Sequence, residues 1–170
     1  MPYTDLLRLS VFVTAAEATA LGAITAVAAN RQEDATIVFV GAGWWIVALA
    51  IGIYLSRPAR AAGAVREALA RARTATSLPK EGAARIALER LWPIAMTALA
   101  AGVLGIFFPG VAAVGAGYAL IASVAWHTRE AAVLGVEQRD GVKFYVVPTS
   151  ALRPIELVRT PGLRSDRVTA

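Results

Sequence analysis

The chain has 170 residues, of which 57% are hydrophobic and 17% charged, where an ordinary soluble domain is about 45–50% apolar and about 25% charged. It has no cysteine and a single histidine, which excludes disulfides, thiolate chemistry and Cys- or His-rich metal sites. The net charge of +5 comes from basic residues beside apolar blocks, a pattern that sets membrane orientation and argues against nucleic acid as a partner.

Four apolar blocks are long enough to cross a hydrocarbon core about 30 Å thick, which takes about 20 residues of helix. The spacing predicts spans over about 6–29, 35–56, 88–108 and 111–132. The expected fold is therefore an all-α membrane protein, a four-helix bundle of two helical hairpins. The first span exceeds the length of a signal-peptide core and carries Glu17 in its middle, so it is read as a membrane helix rather than a cleaved leader.

Arg31, Glu33 and Asp34 separate spans one and two. Phe107-Phe108-Pro109-Gly110 makes an uncharged turn between spans three and four. The 57–87 loop is different, with Arg57, Arg60, Arg66, Arg71, Arg73, Lys80 and Arg85. Basic loops stay in the cytoplasm. The expected protein is thus a multi-pass plasma-membrane protein with both termini cytoplasmic. Within the loop, Ala61, Val65, Leu69 and Ala72 recur at helical spacing over 59–73. Arg60, Arg66, Arg71 and Arg73 cover the other side, as in a basic amphipathic helix suited to anionic headgroups or a protein partner.

The tail over 133–170 changes period. Val133–Arg139 and Val142–Val147 flank Asp140-Gly141, a hairpin signal, and Ile155–Arg159 offers a third strand. The expectation is a small β tail separate from a 1–132 transmembrane domain, able to lean on the helix ends or on a partner.

The two halves echo each other. Thr14-Ala15 with Leu21-Gly22 matches Thr97-Ala98 with Leu104-Gly105, and Gly41-Ala42-Gly43-Trp44 matches Gly115-Ala116-Gly117-Tyr118. The order suggests a parallel pseudo-repeat. Small residues four apart on spans two, three and four mark packing seams and a route to homo-oligomers.

Glu17 is the one acid deep in a span. Burying it costs about 2.5–3.5 kcal/mol on insertion scales, so it should face the bundle and rest protonated. Ser10, Thr14 and Thr25 share its stripe. Trp44, Trp45, Thr97 and Tyr118 reach similar depth from the other spans. Together they outline a midplane ligand or proton site, against the alternative that Glu17 only fixes helix register. No nucleotide loop, serine elbow, catalytic pair or metal cluster is legible, so no enzyme activity and no cofactor is expected. The leading expectation is a membrane-embedded interaction or assembly subunit, with partners at 57–87 and 133–170. The alternatives are a small proton-coupled transporter or channel built on Glu17 and, with least support, a lipid-modifying enzyme.

Overall fold

The computed structural model describes residues 1–70, 72–74, 82–149, 151 and 153–161. Its elements run α1 (Tyr3–Arg31), α2 (Ala35–Leu55), α3 (Pro58–Ala70), β1 (Arg73–Thr74), α4 (Ala83–Phe107), α5 (Pro109–Asp140), β2 (Val142–Val146) and β3 (Leu157–Pro161). Among the described residues, α1, α2, α4 and α5 are long and apolar enough to cross a membrane.

Local chemistry sets their ends. The Asp34 carboxylate accepts a hydrogen bond from the Thr36 N–H at 2.9 Å and caps α2, satisfying a donor that a helix start leaves free. Pro109 opens α5, where its missing N–H costs nothing. On α1 the buried positions include Tyr3, Leu7, Ser10, Thr14, Ala18, Leu21, Thr25 and Ala28. These are steps of three and four, so one face is covered along the whole helix. Helix α5 is the hub, packing against α1, α2, α3 and α4.

Helix α2 leans on α5 rather than on its chain neighbour α1. Gly41, Ala48 and Gly52 form its buried seam. Two hydrogen bonds reinforce it, both to α5 carbonyls: Trp44 Nε1–H to Val114 at 3.2 Å and Trp45 Nε1–H to Ala113 at 2.9 Å, while the Ser56 hydroxyl is shared between the Gly52 carbonyl at 2.7 Å and the Val124 carbonyl at 3.1 Å. The sequence echo is not carried into this packing. Gly117 lies directly beneath the Trp44 indole, whereas the matching Gly43 has nothing within 4 Å of a Cβ position.

The tail departs from expectation at its start. Residues 133–139 continue α5 instead of forming a strand. Val133 and Val136 reach the same apolar cluster at helical spacing. Lengthening an existing helix also avoids a new nucleation step. Asp140-Gly141 is consequently a helix stop, not a hairpin turn. Gly141 takes φ 61° and ψ 32° as the left-handed C-cap, a conformation that costs other L-residues roughly 1–2 kcal/mol. Helix α5 thus runs on to Asp140 and is not broken at residue 133.

The sheet has the order β1-β3-β2. Strands β2 and β3 pair antiparallel, with Phe144 opposite Arg159, and the two-residue β1 joins β3 in parallel. One strand therefore comes from the 57–87 loop rather than from the tail. The chain start joins too: the Val146 N–H donates to the Met1 carbonyl at 3.0 Å, and Pro2 bridges to Tyr145.

Beneath the sheet lies a buried cluster drawn from almost every part of the chain: Tyr3, Leu6 and Leu7 of α1, Val65 of α3, Ile86 of α4, Val133 of α5, and Phe144 and Leu157 of the sheet. The apolar face of α3 is spent here, with Val65 buried and Ala68, Leu69 and Ala72 against the cluster. Val65, Ala68, Leu69 and Ala72 are thus covered by protein. Arg66 is exposed on α3. Arg71, and the side chains of Arg60 and Arg73, lie outside the described residues.

Candidate functional site: the Glu17 cavity

A cavity of about 290 Å³ lies between α1, α4 and α5, lined by Thr14, Glu17, Thr97, Tyr118 and Trp126 among others. Helical repeats bring these groups together. Thr14 and Glu17 are one turn apart on α1, and Tyr118, Ala122 and Trp126 recur every fourth residue on α5. Of the residues singled out in the sequence, Thr14, Thr97 and Tyr118 share the cavity with Glu17. Trp44 and Trp45 do not line it.

The tryptophans are held elsewhere for a physical reason. An indole N–H in an apolar bundle needs an acceptor, and α2 runs against α5. The small residues at that seam bring the indoles within reach of the Ala113 and Val114 carbonyls. Trp44 touches the site only at its edge, meeting Tyr118 edge to face with ring centroids 5.7 Å apart. Trp45 lies on the far side of α1, against Gly22.

Glu17 lies at the flank of the α1 stripe, half-buried. Its Oε1 is fully buried and has no hydrogen-bond partner among the described residues. The Thr14 and Thr97 hydroxyls do not relieve it. Thr14 donates its proton to the Ser10 carbonyl at 2.8 Å, and Thr97 donates to the Ile94 carbonyl at 2.8 Å. Each hydroxyl has one proton to give. What Thr14 and Thr97 still offer the cavity is acceptor capacity. Those acceptors, with the Glu17 carboxyl, suit a ligand that donates: a proton on Glu17 itself, or an ammonium-type cation. The Tyr118 and Trp126 rings favour the same charge.

Both ends of the cavity are sealed by apolar packing. Beyond Glu17 on the side of the α1–α2 turn, Leu21 closes on α4 and α5. A Cβ at Gly115 would stand 3.0 Å from Leu21 and 3.3 Å from Ala101. On the sheet side, Leu7, Ile86 and Val133 close the bundle. Between that seal and the cavity runs a polar layer. Arg8 Nε–H donates to the Glu130 carboxylate at 3.1 Å. Arg90 donates to Thr149 and to the Arg153 and Pro154 carbonyls. Trp126, Arg8, Arg90 and Glu130 are not among the site residues expected from the sequence. The step of four from Tyr118 was the signal for Trp126. No sequence pattern marked the others, because their partners lie far away in the chain.

Among the described residues, no group of three or more His, Asp or Glu side chains is placed to hold a metal ion. His127 is exposed. No protein-family model, no curated protein and no solved structure matches the chain. The four long apolar helices are compatible with an integral membrane protein.

Proposed function

We propose that this chain is an integral membrane protein whose Glu17 cavity binds a proton, or a small cation in exchange for that proton, as a small transporter or channel would. The observation that carries the reading is the buried, unpartnered Glu17 Oε1 beside the Thr14 and Thr97 hydroxyls, whose protons are already committed. A carboxyl kept only to fix helix register would be expected to carry its hydrogen bonds with it. Benzylamine titrated into the protein in nanodiscs tests this. Binding is expected to release close to one proton, read as a buffer-dependent heat, and Glu17→Gln is expected to weaken it at least tenfold. Equal affinity in the two proteins, with no proton released, overturns the reading. The sheet-bearing end is proposed to face the cytoplasm, because Arg8, Arg57, Arg85, Arg90 and Arg129 cluster toward it.

An interaction subunit is the second reading, and one observation favours it. A groove of about 980 Å³ runs between the chain start, the end of α5 and β2, lined by Asp5, Glu137, Arg139 and Lys143 among others. Its mixed charge suits an ionic segment of a cytosolic partner. Reversing Lys143 to Glu is expected to release such a partner in a crosslinking pull-down from intact membranes without altering benzylamine binding. An unchanged crosslinking pattern counts against this reading.

A further inference from the structure

Glu17 borders a second hollow. A groove of about 670 Å³ lies on the outer side of the α1–α4 seam, lined by Phe12, Glu17, Leu99, Gly102, Val103 and Ile106 among others. Glu17, Leu21 and Ala98 belong to both hollows. The carboxyl therefore stands in the partition between the inner cavity and a groove open to the side of the bundle. Among the described residues, Glu17 is the only polar side chain lining this groove. From Glu17 it continues between α1 and α4 to Ile24 and Ile106, over a length of α1 of about 10 Å.

The walls decide how a ligand arrives. Along the bundle axis both routes are closed by van der Waals packing of apolar side chains, at Leu21 on one side and at Leu7, Ile86 and Val133 on the other. Opening either route separates helices that are closely packed. The sides are different. Thr97 and Tyr118 are exposed at the edge of the inner cavity, and Phe12 and Leu99 are 73% and 60% exposed along the groove. In a membrane those sides face hydrocarbon.

We infer that the ligand of the Glu17 site is a membrane-dissolved amphiphile with a cationic, hydrogen-donating head and a single aliphatic tail, and that it enters from the bilayer along the α1–α4 groove. This rests on the cavity reading above and adds the ligand class and the route. The head meets the unpartnered Glu17 oxygen. The tail lies along Leu99, Gly102 and Val103, where Gly102 keeps the floor open: a Cβ there would already stand 3.4 Å from Ile24. A water-soluble amine carries the same head but gains nothing from the groove.

Hexadecylamine carrying a diazirine in its tail, photolysed with the protein in nanodiscs, tests the inference. Labels are expected to concentrate on α1 and α4 along the groove. They should fall at least tenfold in Glu17→Gln and in Leu99→Trp, which fills the groove from an exposed position. Val40→Trp, equally exposed on α2, should leave them unchanged, and melting temperatures of the variants show that each is folded. Labels spread evenly over the lipid-facing helices, with benzylamine still dependent on Glu17, overturn the route and spare the cavity. If neither amine depends on Glu17, the cavity reading has failed and the route with it.

Discussion

Phe144→Ala is expected to destabilise the sheet-bearing end by about 3–5 kcal/mol, the usual cost of emptying a large aromatic site. Phe144 is 3% exposed at the centre of β2, between the buried Val142 and Val146. The cluster it fills is shared by the first turns of α1, by α3, by the start of α4 and by the end of α5. Those helices are also tied to one another away from the cluster, so the walls have little freedom to collapse into the space. The backbone N–H of Phe144 donates to Glu137 Oε1 at 3.1 Å, which fixes β2 against α5 and keeps the strand in place around the void. Hydrogen exchange of the β2 and β3 amides reads the effect directly. Their protection should fall by two orders of magnitude or more, with that of mid-span α5 amides retained. Tyr145→Ala, on the other face of the strand and half-buried, is expected to cost much less. Equal losses for the two substitutions would show that the cluster does not hold this end together.

Replacing Gly117 is expected to detach α2. A Cβ at this position would fall inside the Trp44 indole, with Cε2 at 2.6 Å and Cδ1 at 2.7 Å. Gly117→Ala therefore forces the indole aside, at the roughly 1–3 kcal/mol typical of overpacking. It also breaks the hydrogen bond from Trp44 to the Val114 carbonyl, where hydrocarbon supplies no substitute. Because α2 is fastened chiefly to α5, the damage should be confined to that helix. Unfolding in mixed micelles should show a lowered midpoint, and tryptophan emission should report the displaced indole. Gly43→Ala, the matching position in the other half, should be silent. Combining Trp44→Ala with Gly117→Ala should cost clearly less than the two changes summed, because the clash disappears. Strict additivity would exclude the contact as the cause.

Much of this architecture was legible in the chain. The apolar blocks became α1, α2, α4 and α5, because about 20 apolar residues in helix is a requirement of bilayer thickness and not of context. The structural helices overrun the expected spans where propensity continues past the apolar block. Helix α4 begins at Ala83 rather than at residue 88, supported by the Arg85–Glu89 pair at 2.9 Å. Glu17 stood out because a lone acid in an apolar span is costly wherever it packs. Thr14 was reached from helical spacing on the Glu17 stripe, and Thr97 and Tyr118 from depth, which is set by rise per residue. The same reasoning put Trp44 and Trp45 beside Glu17, where they are not. Depth does not say which way a helix is rotated, and that rotation is decided by the α2–α5 seam.

Asp140-Gly141 shows the other limit. The dipeptide is compatible with a tight hairpin and with a helix stop, since both use a positive φ at glycine. The choice fell to Val133 and Val136, which reach the cluster beneath the sheet only if α5 continues. That cluster joins residues 3 and 157, and no local pattern relates them. By itself, then, the sequence determined four helices with the length and apolarity to span a bilayer, and one acid that must be accounted for among them, because both follow from local composition and transfer free energy. Only the tertiary structure decided that α3, the sheet and the chain start share one core, that the tryptophans bond to α5, and that Glu17 stands between an inner cavity and an outer groove. Those outcomes depend on helix rotation and on contacts between distant residues, which local periodicity does not encode.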